Sequence, residues 1–505
     1  MSGLGMAGVA AVKWSTTATL ARFVLQLSAQ VVLARTLGPE VFGIFAIGVV
    51  VLTFAGFMTS FGFSWSLLQR ATVQSADIRF AWTWQVLVGL LTMASVYGLA
   101  PGLATYFREP QAQFVIQWLS LACVMTAAAG PSTYLLQRDL NFKAIGLIQV
   151  GSYAAGYLLV GIPMALLGGG VASLVAAWLV QAGVVLVVSY ALKPHPLRPL
   201  FWYAGAANTV HTGRAVFFTN IVNWVLNNMD RILIGRLLNT QSLGLYNVAY
   251  NMATLPNSLL LGALQPAFLA AGAQLQDQLP RLGRIYLNML STVLVLVLPA
   301  FVFLALIAED LVRLLYGLAW HEAGWVLQIL FVSMPAYVIW GLSTPVLWNT
   351  GRQHFEFALQ LPLVLVGAAG FYAFSGDGLR SAAGVAATLL VLRAVVMSLA
   401  AMQVLQLRWR SLSAYAGRGL ALSGLCVLGV WTGQRITTGF DSAWLSLLMS
   451  GLLSLCAVAV PVAWRPQLLG SATIEMVLRF IPQFSPWIKP NDTPPLTGVI
   501  EEQRI

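Results

Sequence analysis

Arg22, Arg214 and Arg393 each interrupt a long apolar stretch. A guanidinium stays charged, and its planar fork binds phosphate or carboxylate oxygens in pairs. Inside a bilayer such a charge costs roughly 2.5–3.5 kcal/mol, so all three are candidates for binding an anion. Arg22 shares one helix face with Thr19, Gln26 and Gln30, at three- and four-residue spacing. It precedes Arg35 by thirteen residues, on the order of 20 Å of helix, which sets it well inside a membrane. Asn220, Asn223, Asn227 and Arg231 make a second polar face with Asp230 close by, and Asn247, Asn251, Thr254 and Ser258 make a third. Two roles fit these stripes: lining a polar cavity, or hydrogen bonding between packed helices. Lys13 and Arg214 suit an arriving anionic head group or snorkelling to the interface. Arg393 suits an anion or a clamp between helices. Arg35, Glu40, Asp230, Arg231 and Arg236 are expected at helix ends, as an outer gate or as fixers of loop geometry. No acid is expected in mid-span.

Catalytic and metal chemistry find no support. Cys123, Cys426 and Cys456 lie far apart in apolar segments and the four histidines are isolated, so neither a zinc site nor a disulfide framework is expected. None of the four lysines follows a glycine, which removes the phosphate cradle of a P-loop. No cofactor and no catalytic residue is expected. Small and apolar residues precede Lys13, the reverse of a signal peptide's order, so the first helix is expected to stay. Interfacial anchoring accounts for most of the 17 tryptophans, which include Trp14, Trp82, Trp84 and Trp224.

The elements that hold these residues are membrane helices. The 505 residues are 59% hydrophobic and 9% charged, against roughly 25% charged in a soluble domain. Their mean hydropathy is +0.80. Uncharged runs such as 41–69, 80–107, 110–137 and 144–192 reach the roughly 20 residues that a spanning helix needs. The expectation is an all-α polytopic membrane protein of about fourteen helices: 9–34, 41–67, 79–100, 113–135, 145–167, 171–192, 205–229, 243–268, 285–307, 323–348, 356–375, 381–404, 415–433 and 442–464. Loops of about 4–15 residues leave no room for a soluble domain, so an enzyme with a large catalytic loop fits poorly. With the N-terminus inside, seventeen of the 27 Lys and Arg residues fall on the cytoplasmic side and seven outside. The positive-inside rule therefore sets both termini in the cytoplasm. The same bias explains most of the +11 net charge, and no nucleic acid is needed as a partner. A tail from 465 to 505 carries a short amphipathic helix near 471–481 and then a Pro-rich disordered end.

The chain also repeats itself. A shift of 201 residues lays Ala34–Phe45 on Gly235–Tyr246, with the shared pattern R-x-L-x5-G-x-[FY], and lays the Arg22 stripe on the Asn223 stripe. Six helices separate the copies, so both run the same way and are related by a two-fold along the membrane normal. This predicts an N-lobe over 1–192, a linker over 193–204, a C-lobe over 205–404, and two further helices within 405–464.

Several segments carry a family resemblance: Arg35-Thr-Leu-Gly-Pro-Glu-Val-Phe-Gly43, Leu135-Leu-Gln-Arg138-Asp-Leu-Asn-Phe142-Lys143, Met229-Asp230-Arg-Ile-Leu-Ile-Gly235-Arg236, Leu243-Gly244-Leu-Tyr246 and Leu315-Tyr316-Gly317-Leu-Ala-Trp320. Over roughly 1–465 the chain resembles the Wzx-type oligosaccharide flippases, the polysaccharide-transporter branch of the MOP flippase superfamily. The resemblance implies a MOP/MATE-like fold in the bacterial inner membrane. It also implies transfer of an undecaprenyl-pyrophosphate-linked oligosaccharide to the outer leaflet, for O-antigen, capsule or exopolysaccharide. The implied partners are that polyprenyl-linked cargo, membrane lipids, and a polysaccharide polymerase with its chain-length regulator. A MATE-like ion-coupled exporter is the alternative, and it calls for a buried carboxylate.

Overall fold

The computed structural model describes residues 2–60, 63, 67, 72–203, 206–276, 278–438, 443–470 and 473–474. Every element among them is helical. The principal helices are α1 (Ser2–Ser60), α2 (Ser75–Phe107), α3 (Gln111–Arg138), α4 (Phe142–Leu166), α5 (Val171–Leu192), α6 (Ala206–Leu237) and α7 (Thr240–Ala273). They continue as α8 (Leu279–Leu306), the short α9 (Ala308–Tyr316), α10 (His321–Asn349), α11 (Gln353–Phe374), α12 (Leu379–Val404), α13 (Ser413–Thr437) and α14 (Ala443–Trp464).

Among the described residues, eleven helices are long and apolar enough to cross a membrane, so the chain is a multi-pass membrane protein. The first of them, Thr19–Thr59, holds two expected segments because α1 bends at Gly38 (φ 76°, ψ 173°). Residues with a side chain rarely take that conformation, and Pro39 then starts the second arm with its fixed φ. The expected segments 205–229 and 243–268 are helical as α6 and α7 but stand outside the eleven, so fourteen is not reached by that measure. Of the expected tail helix near 471–481, only Thr473 and Ile474 lie within the described residues; both are helical and buried.

The chain divides into two compact units: Met1–Asn247 with Phe371–Leu379, and Val248–Gly370 with Arg380–Ile505. The division falls inside α7, and α6 packs on α1 within the first unit. Small residues let the helices pack closely, as lipid-embedded helices require. In the first unit Gly156 and Gly161 of α4 face Ala177 of α5. In the second, Gly429 and Gly433 of α13 lie against Ser454 and Ser450 of α14.

Segment 193–203 is a strap bound to the first unit. Arg79 donates to the carbonyls of Arg198 (3.0 Å) and Pro199 (3.2 Å), and the Trp84 indole to that of Phe201 (2.9 Å). The Leu200 amide donates to Thr83 Oγ1 (2.9 Å), Ser132 donates to the Lys193 carbonyl (3.0 Å), and Lys193 pairs with Asp139. Asp77 does two jobs: it caps α2 by accepting from the Gln74 amide (2.8 Å), and it accepts the Tyr203 hydroxyl (2.5 Å). Asp77→Ala is expected to cost about 2 kcal/mol through the cap and the charged bond together. The check is hydrogen exchange, which should rise first in 193–203.

His195 is buried in the strap, edge-on to Tyr190 at 5.4 Å. Burial pushes its imidazole below the ordinary value, against a weaker opposing effect of the Pro196 carbonyl. The folded strap thus holds neutral His195. Its contribution is complete above the unfolded pKa, about 6.5, and is lost as pH falls below it. Strap exchange should therefore quicken as pH falls below about 6.5, and His195→Gln should flatten that dependence.

Candidate functional site

The two copies of the repeated motif meet face to face within the first unit. A Cβ on Gly43 would strike the Thr240 carbonyl and the Gly244 amide; a Cβ on Gly244 would strike the Pro39 carbonyl and the Gly43 amide. Adding 201 to 39 and 43 gives 240 and 244. The contact is therefore reciprocal, as a two-fold axis demands, with the same patch used twice.

Polar residues of α6 brace this contact. Asp230 was expected beyond a helix end, but α6 runs on to Leu237 and buries it. Its Oδ2 accepts from Tyr246 of α7 (2.6 Å) and its Oδ1 from the Arg231 amide (2.8 Å). Arg231 donates to Asn228 Oδ1 (3.0 Å), Asn228 donates to the Trp224 carbonyl (2.9 Å), and Trp224 donates to Thr53 (3.2 Å) while its ring meets Phe54. Arg236 lies over the Tyr106 ring at 5.1 Å. Arg35 and Glu40 are exposed at the kink.

On the first arm of α1, Arg22, Gln26 and Gln30 are half-buried and Thr19 is exposed. The charge of Arg22 acts on Tyr153 and Tyr157 of α4. Those two rings stack at 4.4 Å and 12°, where α4 loosens into a π-helical turn, Ala154–Gly161. Such turns recur at functional sites because they widen a helix locally. Sequence reasoning missed this pair: an i,i+4 aromatic couple in an apolar run gives no signal above ordinary packing. Asn223, Asn227 and Asn247 are half-buried and Asn251 is exposed. The side chains of Lys13, Arg214 and Asn220 lie outside the described residues.

Arg393 occupies a different setting from Arg22. In the second unit it is 2% exposed, donates from Nε to Gln360 Oε1 (2.7 Å), and lies over the Trp340 ring at 3.8 Å. Gln360 donates onward to Glu356 Oε1 (2.9 Å), and the Trp348 indole donates to Glu356 Oε2 (2.5 Å). Arg393 was expected to face an anion or to clamp helices; its contacts with Gln360 and Trp340 join α12 to α11 and α10. Glu356, in the first turn of α11, is fully buried. Among the described residues, no cluster of three His, Cys, Asp or Glu is placed to hold a metal.

Residues 32–324, more than half of the chain, match the model of the family described as polysaccharide biosynthesis protein. The chain belongs to that family. As a polysaccharide biosynthesis protein it carries both repeat motifs and their reciprocal contact inside the matched region. It is 26% identical over 335 residues to the lipopolysaccharide biosynthesis protein WzxC of Escherichia coli (strain K12), covering 64% of this chain and 66% of that one. Among solved structures, the lipid II flippase MurJ in an inward closed conformation superposes with a TM-score of 0.70 at 13% identity, over 89% of this chain and 98% of that chain. A multidrug resistance MATE transporter of the MOP superfamily, inward-facing, gives 0.60 at 15% identity, over 77% and 98%. The polysaccharide biosynthesis protein thus has the MOP transporter fold.

Proposed function

We propose that this polysaccharide biosynthesis protein is a flippase that carries undecaprenyl-pyrophosphate-linked oligosaccharide from the cytoplasmic to the periplasmic leaflet of a bacterial inner membrane, by alternating access. The reciprocal Gly43–Thr240 and Gly244–Pro39 contact carries the reading. Two like halves that close on each other at one end are the parts a rocking transporter needs. The halves are an N-lobe over 1–192 and a C-lobe over 205–404, joined by the 193–204 linker, with 405–464 added. Both termini lie in the cytoplasm, which puts the glycine contact on the periplasmic side with Arg35, Glu40, Asp230, Arg231 and Arg236 around it as a gate.

The cargo follows from chemistry and from relatives. Arg22, half-buried on α1, is a bidentate phosphate ligand whose charge reaches the buried Tyr153–Tyr157 stack. It suits a pyrophosphate, with Lys13 and Arg214 as cations nearer the cytoplasm and Thr19, Gln26, Gln30, Asn220, Asn223, Asn227, Asn247 and Asn251 as polar lining. The names of a sequence relative, a lipopolysaccharide biosynthesis protein, and of a structural neighbour, a lipid II flippase, agree with a lipid-linked glycan. A polysaccharide polymerase and its chain-length regulator are the partners that would take the delivered unit. No reaction chemistry is assigned to the chain. An exporter of cationic drugs needs an open acid; Asp230 and Glu356 instead have both carboxylate oxygens bonded.

The test uses purified protein in liposomes with a fluorescent undecaprenyl-pyrophosphate oligosaccharide, following loss of inner-leaflet label. Wild type should transfer it, and Arg22→Ala should be slower by roughly 10- to 100-fold, the worth of one charge-assisted phosphate bond. Equal rates would remove Arg22 from the site. No transfer by wild type, with several glycan forms and a proton or sodium gradient applied, would favour the ion-coupled exporter.

A further inference from the structure

Two neighbouring helices of the first unit splay apart along their length. α4 and α5 touch at backbone range where Gly156 and Gly161 meet Ala177. A Cβ on Gly156 would stand 2.4 Å from the Ala177 carbonyl oxygen, and one on Gly161 2.9 Å from the Ala177 Cβ. At Gly151 the contact is gone, and a Cβ there would meet nothing. From Gly151 back to the start of α4, the two helices line an open cavity of about 610 Å³, within the roughly 300–1,000 Å³ of ligand pockets.

The lining is graded. At the start of α4 it is polar, with Asn141 and the exposed Lys143. Asn141 Oδ1 accepts from the Ala144 amide (3.1 Å) as the cap of α4, so what its side chain offers a ligand is N–H donors. Beyond them the walls are hydrocarbon: Leu147 and Ile148 from α4, and Val184, Val188 and Leu192 from α5. From Lys143 to Gly151 is roughly 12 Å of helix. A cation and N–H donors at one end, followed by that length of apolar wall, match an amphiphile with an anionic head.

The surroundings make that amphiphile a membrane lipid. Leu147, Leu159, Leu166 and Val187 on the same two helices are 59–73% exposed, which in a membrane means contact with acyl chains. A gap left empty between two such helices forfeits the dispersion contacts of its lining, and acyl chains are what the bilayer supplies to fill it. Basic residues between membrane helices, at the interface, are where anionic lipid head groups are held.

We propose that this cavity binds one anionic phospholipid of the surrounding membrane, with its phosphate on Lys143 and Asn141 and one acyl chain lying between α4 and α5. The chain reaches Ser152, two residues before the π-helical turn at Ala154. The lipid thus fills the splay that the Gly156 and Gly161 contacts leave open, and it ties the two helices together whatever cargo the protein carries.

The test is native mass spectrometry of the full chain released from detergent micelles. Phosphatidylglycerol, phosphatidylcholine, undecaprenyl phosphate and inorganic phosphate are the separate probes. Wild type should hold its first phosphatidylglycerol about tenfold more tightly than phosphatidylcholine, the lower end of what a hydrogen bond to a charged group contributes. Lys143→Gln should bring the two lipids to parity, whereas Arg410→Gln, at another exposed cation, should keep the difference. Gly151→Leu puts a side chain into the open space without breaking the helix and should weaken both lipids at least tenfold, on the order of the apolar contact it replaces. Val188→Trp fills the same space from α5 and repeats the measurement if Gly151→Leu fails to fold. The proposal is overturned if wild type binds the two phospholipids equally, if Lys143→Gln keeps the preference, or if a folded cavity-filling variant binds as wild type does. It is also overturned if inorganic phosphate displaces phosphatidylglycerol, which marks an ion site without a tail, or if undecaprenyl phosphate does so at equal concentration, which gives the cavity to the carrier lipid. Failure of the flippase reading has a different signature: no transfer in liposomes, with these affinities unchanged.

Discussion

Gly244→Val is expected to abolish the disulfide that forms between cysteines introduced at Glu40 and Gln241. Those two positions are equivalent under the 201-residue shift, both are exposed, and they flank the reciprocal glycine contact. In a Cys456→Ser background, which removes the exposed native thiol, the pair should cross-link readily under oxidation. A valine at 244 puts a Cβ into the Pro39 carbonyl, and the atoms opposing it are backbone. Overpacking costs about 1–3 kcal/mol where side chains can adjust, and here they cannot, so the upper end applies. About 3 kcal/mol shifts a two-state equilibrium by on the order of 150-fold. The closed arrangement should become a minor state, and transfer in liposomes should fall with it. Gly262→Val is the control: it lies on the same helix, and a Cβ there meets nothing. Unchanged cross-linking in Gly244→Val would mean that the ends already move apart without cost.

The second large effect is on stability. Arg393→Ala should destabilise the chain by about 3–5 kcal/mol, because it leaves a buried carboxylate without its cation. The readout is the thermal midpoint in detergent. Arg393→Lys should recover little, since an ammonium has neither the plane that lies on Trp340 nor the fork that meets Gln360. The double change Glu356→Gln with Arg393→Met should recover more than half of the loss, because charge and counter-charge leave together. A double-mutant cycle that came out additive would deny the coupling.

Most of the fold was legible because bilayer helices announce themselves by uncharged length. The kink at Gly38-Pro39 and the repeat motif were equally plain, since both depend on local sequence. Asp230 was misplaced for a physical reason: a charged residue reads as a helix end, whereas Tyr246 sixteen residues on supplies the partner that lets the helix continue. The burial of Glu356 carried no mark in the sequence either, because it is set by Trp348 on the preceding helix. Arg393 stood out as a buried charge, but its partner Gln360 is 33 residues away and is chosen by how α11 and α12 cross. Tyr153 and Tyr157 carried no mark at all until the π-helical turn and Arg22 gave them one.

The glycine contact also bears on how such a chain arose. A half-length ancestor pairing with a second copy of itself about the same axis would have met that copy through one glycine, present once in its gene and twice in the assembly. After duplication and fusion, each copy became free to drift everywhere except where it still touches its own former image. Gly43 and Gly244 are such a point. Exchanging the Pro39–Gly43 and Thr240–Gly244 segments between the two halves should therefore leave a working contact, although few other residues in the halves remain alike.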